Sequence, residues 1–314
     1  MLGRTANSLF WMFRYLERAE NTARILQAGL RMAVTRDIAA AEAEWRSIIQ
    51  TTGRKEAYEQ HNGTYTGIQA WNFILRDRGN PSTVKDMMDA VRNNARASRN
   101  AISGELWEVV NESWMLVCDL LARPVTQQQV GHVLAAIRRA GTLAHGALAG
   151  SMLRNEGYHF ARAGTFVERA DSTARILDIK YYLLLPSLSY VGSSLDTGQW
   201  ENILRSVSGY RAYSWLNAGQ IEPRGIAQFL VLDRRFPRSL AFCHEALCEE
   251  LNALARLHGG EGTCHDLMRR SDAQLADLTV DRIFDQGMHQ FLVEFMATNA
   301  EIAAAIGTDY RFLA

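Results

Sequence analysis

The sequence predicts an all-α protein, a duplicated multi-helix bundle with pseudo-two-fold internal symmetry. Three observations carry that expectation. Residues 16–26 read LERAENTARIL and residues 167–177 read VERADSTARIL, identical at eight of eleven positions. With a chance match of roughly 1 in 20 per position, coincidence does not explain this, and an internal duplication does. Second, two further pairs follow in the same order. Trp45, Ile48 and Ile49 match Trp200, Ile203 and Leu204, and FILRDRGNPST from Phe73 matches FLVLDRRFPRS from Phe229, the three pairs being offset by 151, 155 and 156 residues. Third, apolar residues recur at helical spacing, with five prolines in the whole chain and few β-branched runs to interrupt them. The expected organisation is a first repeat over residues 1–157 and a second over 158–314, fused into one compact body.

The first helix is predicted over residues 3–36. Leu9, Met12, Leu16, Ala19, Ala23 and Leu26 form its apolar stripe. On a wheel centred on Glu17, the residues Glu20, Asn21, Arg24 and Arg14 fall within about 60°, and Arg18 lies about 100° away. Phe10 and Phe13 share that polar arc, so both faces are expected to bury. A second helix is predicted over residues 39–52, ended by Gly53. A short polar segment with a turn at Asn62-Gly63 follows. Helical spacing resumes over 65–78 through Ile68, Trp71, Phe73 and Leu75. Asn80 and Pro81 read as a cap and first position for a helix reaching about Ser103. Another helix is predicted over 105–121. Thr126 and Gln129 form a capping box for one that continues to about Arg154 and nearly straight into the second E-R helix. That helix should end before Pro186. A last helix is predicted over 280–306, with Ser271 and Gln274 as a capping box just before it and Gly307 as its stop.

Composition bounds the function. The 314 residues carry 34 Lys+Arg against 34 Asp+Glu, so no net field points to nucleic acid. At 47% hydrophobic and 22% charged, the chain is that of a globular protein. No stretch approaches the roughly 18 apolar residues of a membrane span, and the apolar run at Leu9 is too short for a signal-peptide core. Four scattered cysteines, Cys118, Cys243, Cys248 and Cys264, do not make a disulfide framework. A soluble, cytoplasmic protein without membrane or nucleic-acid partners is expected.

The first chemical candidate is the repeated charged seam: Glu17, Arg18, Glu20 and Arg24, with Glu168, Arg169, Asp171 and Arg175. Acid precedes base at i,i+4 in Glu20–Arg24 and Asp171–Arg175, the favourable order. Three readings stand beside one another. The charges are exposed pairs worth a few tenths of a kcal/mol, or buried pairs fixing helix register, or a functional site. Persistence in both copies argues against the first, because solvated charges drift. A second candidate is the stripe Lys85, Arg92, Arg96 and Arg99, within about 60° on one helix. It reads either as a solvated basic face or as a phosphate or acidic-partner site. Metal sites look poor. Glu156 and His159 make a single Glu-x-x-His where a di-iron bundle needs two, and His244, Cys248, Cys264 and His265 fit no zinc spacing. No metal and no cofactor on this chain is the expectation. No GxxxxGK[ST], GxGxxG or GxSxG motif is present, and the tryptophans read as core anchors.

The two E-R segments, together with Asp77-Arg78…Pro81 and Asp233-Arg234…Pro237, resemble the bacterial alpha-E family, over nearly the whole chain. The family is named for an all-helical domain with an E-R motif. That resemblance implies association with a circularly permuted ATP-grasp protein, and with a transglutaminase-like protein and a proteasome-like hydrolase. It implies a helical partner of an amide or peptide ligase in a peptide-modification system, with ATP and Mg held by the partner. It brings no established catalytic residue. The alternatives are an enzyme using Glu17 or Glu168 as acid/base with Arg24 or Arg175 holding an anion, and a purely structural helical adaptor.

Overall fold

A computed structural model describes residues 1–34, 38–183 and 194–312. Among these the regular structure is entirely helical. The chain divides into two compact units: Trp11–Leu153, and Met1–Phe10 together with Arg154–Ala314.

The Trp11–Leu153 unit takes most of helix α1 (Gly3–Val34) and then α2 (Ile38–Thr51), α3 (Lys55–His61), α4 (Gly67–Arg76), α5 (Val84–Ala97), α6 (Gly104–Leu120) and α7 (Val130–Ser151). The predicted apolar stripe of α1 is buried, as are Phe13, Glu17, Glu20 and Asn21 of its polar arc, while Arg14, Arg18 and Arg24 are half-buried. The core joins Ala19, Ala23 and Leu26 to Trp45, Tyr58, Trp71, Phe73 and the apolar face of α7. Trp45 meets Trp71 edge-on at 5.8 Å. The indole of Trp71 donates to the Val125 carbonyl at 2.9 Å, and Asn72 pairs with both backbone groups of Val125. The α6–α7 connection is thereby pinned to α4, so its buried backbone polar groups are satisfied.

The other unit contains α8 (Glu156–Leu183), α9 (Ser194–Ser206), α10 (Tyr210–Leu216), α11 (Pro223–Ala227), a π-helical turn (Gln228–Leu232), α12 (Leu240–His258), α13 (Thr263–Ala276), α14 (Val280–Gln286) and α15 (Met288–Asp309). Helix α8 packs against both α12 and α15. The start of α1 lies against α8 at Gly164, where an added Cβ would stand 2.2 Å from the Phe10 carbonyl oxygen. Glycine is required there because backbone fills the space.

Several expectations are corrected. The polar segment after Gly53 forms α3, because Tyr58 plugs the core there at 0% exposure. Tyr213 plays the same part in α10, at 1%. Helix α5 begins after Thr83, not Asn80. Thr83 and Asp86 bond reciprocally as a capping box, while the Asn80 amide donates to the Phe73 carbonyl. It also ends at Ala97, short of Ser103, and a 3-10 turn at Arg99–Ala101 intervenes. Helices α7 and α8 are not continuous, since Met152 turns extended at φ −88°, ψ 134°. The predicted last helix is two helices, broken at Gly287, whose φ of +94° only glycine adopts without strain. Thr279 caps α14, Ser271 is buried within α13, and α15 passes through Gly307. Arg36 and Pro186, the predicted ends of the two E-R helices, lie outside the described residues.

Candidate functional site

Helix α1 carries the first E-R segment, and it faces α7. Glu17 is fully buried. Its Oε1 accepts from the Asn21 amide at 3.3 Å, and its Oε2 lies 3.2 Å from His145 Nε2. A carboxylate so far from water is tolerable only with such partners. One turn on, Glu20 is 3% exposed and its Oε1 accepts from Arg24 through Nε at 3.0 Å and Nη2 at 2.5 Å. Its other oxygen occupies the space above Gly141 on α7, 2.2 Å from where a Cβ would be. The His145 ring rests against Phe13 at 5.4 Å. One donor atom each from Glu17, Glu20 and His145 lie within 4.8 Å of one another, a group that could hold a metal ion. Arg18, half-buried, sits over Tyr15 at 5.7 Å, and Arg14 over Trp11 at 4.4 Å.

The second segment, on α8, is arranged differently. Glu168 is 2% exposed. Arg169 reaches the Pro237 carbonyl at 3.5 Å and packs over Phe166. Asp171 pairs with Arg175 at 2.7 Å, with the arginine side chain 53% exposed, so this pair is a surface contact worth little. Thr173 donates to the Arg238 carbonyl, and Asn299 on α15 donates to the Val167 carbonyl. Among the described residues, this unit also has a buried ionic group at Glu250 on α12. It accepts from Arg162 at 2.8 Å and pairs with His159 at 2.6 Å. Nothing in the sequence singled out His145 as a partner of the first segment, or Glu250 as the partner of His159 and Arg162, since each pair meets only through packing.

The second pair of markers turns out to be punctuation. Asp77 accepts from the Gly79 N–H at 2.8 Å, and Asp233 accepts from the Arg235 N–H at 2.9 Å. Each is an Asx turn that ends a helix. Thr83 and Ser239, each six residues on, cap the next helix. Arg235 also holds the Asp233 carboxyl below its ordinary range. Arg78 is exposed, and Arg234 forms an exposed pair with Glu245 at 3.4 Å. The basic stripe is not continuous. Lys85 pairs with Asp89, Arg92 bonds Asn111 and stacks over Trp114 at 4.0 Å, and Arg96 is exposed. Arg99 falls in the 3-10 turn and lies over Trp107 at 5.3 Å.

The other metal candidates have separate duties. Glu156 bonds the terminal amine of Met1, while His159 turns to Glu250. Among the described residues, Cys118, Cys243, Cys248 and Cys264 are free thiols. Burial, aided by Asp89, pushes the Cys118 thiol up to about 11, and burial pushes Cys264 up further. His265 accepts from the Gly262 N–H at 3.0 Å, so its other nitrogen donates to the Leu251 carbonyl, making it a helix cap. His244 is pushed below its ordinary value by burial.

A helical chain in which two E-R dipeptides, Glu17-Arg18 and Glu168-Arg169, place their glutamates in the interior meets one family model over residues 1–311, described as a predicted alpha-helical domain with a conserved ER motif. The chain belongs to the Alpha-E family. It is also similar to uncharacterized proteins of Mycobacterium bovis and of two Mycobacterium tuberculosis strains, at 24% identity over 275 residues. The match covers 80% of this Alpha-E chain but 30% of each relative, so the chain spans under a third of their length. No solved structure matches it. Among the described residues, no helix is long and apolar enough to cross a membrane.

Proposed function

We propose that this Alpha-E chain is a helical partner subunit of a circularly permuted ATP-grasp-type amide or peptide ligase. The ligase would belong to a peptide-modification system with a transglutaminase-like protein and a proteasome-like hydrolase. ATP and Mg belong to the ligase in this reading. The observation that carries it is the burial of the two E-R glutamates, Glu17 at 0% and Glu168 at 2%. A carboxylate walled off from solvent is poorly placed to exchange protons with an incoming substrate and well placed to fix helix register.

Two further observations support it. The relatives devote 30% of their length to the matching segment, so there it works joined to other sequence, where effective concentration is high. Trp215 at 85% and its neighbour Leu216 at 49% exposure put two adjacent large apolar side chains on the surface of α10, contact area of the kind that partner proteins cover. The reading also takes the two units to be copies of one ancestor. Supporting this, α10 starts 155 residues after α3 and α12 starts 156 after α5. Trp45, Ile48 and Ile49 are 3%, 5% and 0% exposed, and Trp200, Ile203 and Leu204 are again 3%, 5% and 0%. The positive φ of Gly53, +67°, recurs 155 residues later at Ser208, +57°.

The enzyme alternative, with Glu17 or Glu168 as acid/base and Arg24 or Arg175 on an anion, draws on one contact. His145, with a side chain 24% exposed, touches Glu17 and could relay a proton outward. Co-expression with the ATP-grasp protein, followed by Mg-ATP hydrolysis assays with and without this chain, separates the readings. A stable complex whose turnover requires this chain is expected. Binding with no change in turnover would make it an adaptor. Activity of the isolated chain, lost in Glu17→Gln and Glu168→Gln variants that still fold, would make it the enzyme.

A further inference from the structure

We infer that Glu17, Glu20 and His145 form a binding site for a divalent first-row transition-metal ion, a property separate from any partnership with a ligase. The donor set is mixed. Two carboxylates one turn apart on α1 converge with an imidazole from α7, and donor atoms of all three lie within 4.8 Å of one another. An ion about 2.0–2.2 Å from each ligand holds its donors roughly 3–3.5 Å apart. The 3.2 Å separation of Glu17 Oε2 and His145 Nε2 is already in that range. The Glu20 donor atom lies within 4.8 Å of the other two, so its carboxylate moves inward to complete the set. One nitrogen with two carboxylates selects zinc, manganese or iron over magnesium and calcium, whose sites are built from oxygen alone.

The surroundings are those of a supported site. Ligating carboxylates are ordinarily oriented by hydrogen bonds to their outer oxygens. Here Asn21 holds Oε1 of Glu17, and Arg24 holds Oε1 of Glu20 twice over. The Phe13 ring fixes the plane of His145. Gly141, one turn before His145, leaves the volume in which the second oxygen of Glu20 sits. The imidazole is the ligand most open to solvent, with 24% of its side chain exposed.

The other unit supplies an internal control. Helices α7 and α15 begin and end 158 residues apart, so Gly141 and His145 correspond in register to Asn299 and Ala303. The nitrogen ligand is missing there, and Asn299 spends its amide on the Val167 carbonyl. Asp171, in the place of Glu20, pairs outward with Arg175. The donor set is therefore a property of the Trp11–Leu153 unit and not of the repeat as such.

The test uses the full chain without a histidine tag, stripped with a chelator and titrated with Zn(II) and with Mn(II), with Mg(II) as the comparison. One transition ion per chain is expected, with Mg(II) at least about 10-fold weaker. His145→Gln should weaken binding by 10- to 100-fold or more. Gly141→Ala removes no ligand but displaces the Glu20 carboxylate, and should weaken it similarly. Glu108→Gln, at an exposed position of α6, should leave it unchanged. Circular dichroism establishes that each variant is folded, and since His145 is part-exposed its variant does not depend on the buried glutamates. In the Mn(II) complex, the imidazole nitrogen should couple to the electron spin, and that coupling should vanish in His145→Gln. The inference is overturned by the absence of stoichiometric binding, or by binding that folded His145→Gln leaves intact.

Discussion

Tyr58 offers a prediction whose size can be worked from its contacts. It is 0% exposed, stacks on Tyr65 at 4.8 Å, meets Phe73 edge-on at 5.0 Å and donates its hydroxyl to the Thr64 carbonyl at 2.7 Å. Tyr58→Ala removes the whole ring from a filled core, and large aromatic-to-Ala changes cost about 3–5 kcal/mol. Tyr58→Phe keeps the ring and loses one hydrogen bond, at about 0.5–1.5 kcal/mol, with exposed Thr64 free to turn its carbonyl to water. Burial also raises the hydroxyl from 10.0 to about 12. A raised folded value means the native state keeps the proton that the unfolded chain releases. Stability from this group is thus complete below pH 10 and declines as pH rises toward 12, by at most about 3 kcal/mol. Urea unfolding followed by tryptophan fluorescence and far-ultraviolet dichroism reads all three effects. If Tyr58→Ala costs under about 1 kcal/mol, or Tyr58→Phe leaves the alkaline slope unchanged, α3 is not held in the way described.

Two more predictions concern helix caps and a buried carboxylate. Thr83→Ala and Ser239→Ala each remove an N-cap, accepting at 3.1 Å from Asp86 N and Phe242 N, and each should cost about 1 kcal/mol in urea unfolding. Glu250→Gln breaks the pair with Arg162 and His159. The loss should be about 1–3 kcal/mol rather than the full cost of a buried pair, because Arg162 is 34% exposed and can turn to water; a double-mutant cycle with Arg162→Gln in the same unfolding assay checks the coupling.

Local chemistry wrote much of the fold plainly. Period-3.6 patterning placed α1, α2, α4 and α6 to within about three residues, and the burial of both faces of α1 followed from rings interleaved with charges. Element type is local because hydrophobic spacing and helix propensity are properties of neighbours in sequence. Where two local signals competed, the choice was not legible. Asn80-Pro81 and Thr83-x-x-Asp86 are both valid starts, and the reciprocal bonds of Thr83 with Asp86 decide. Helix α3 was missed because seven residues carry too short a period to register. The signal that could have found it was the recurrence of Tyr58 at Tyr213, 155 residues on.

The site divides along the same line. By itself the sequence determined that the chain is helical, that two E-R segments recur, and which acids precede which bases. Tertiary structure alone decided that Glu17 meets His145 across 128 positions of sequence, that Glu250 meets His159 and Arg162, and that Asp77 and Asp233 end helices. The physical reason is that helical period reports only that a face will be covered. Which side chain covers it depends on the crossing of helices remote in sequence, and the protonation, pairing and metal affinity of a buried carboxylate are set by that neighbour.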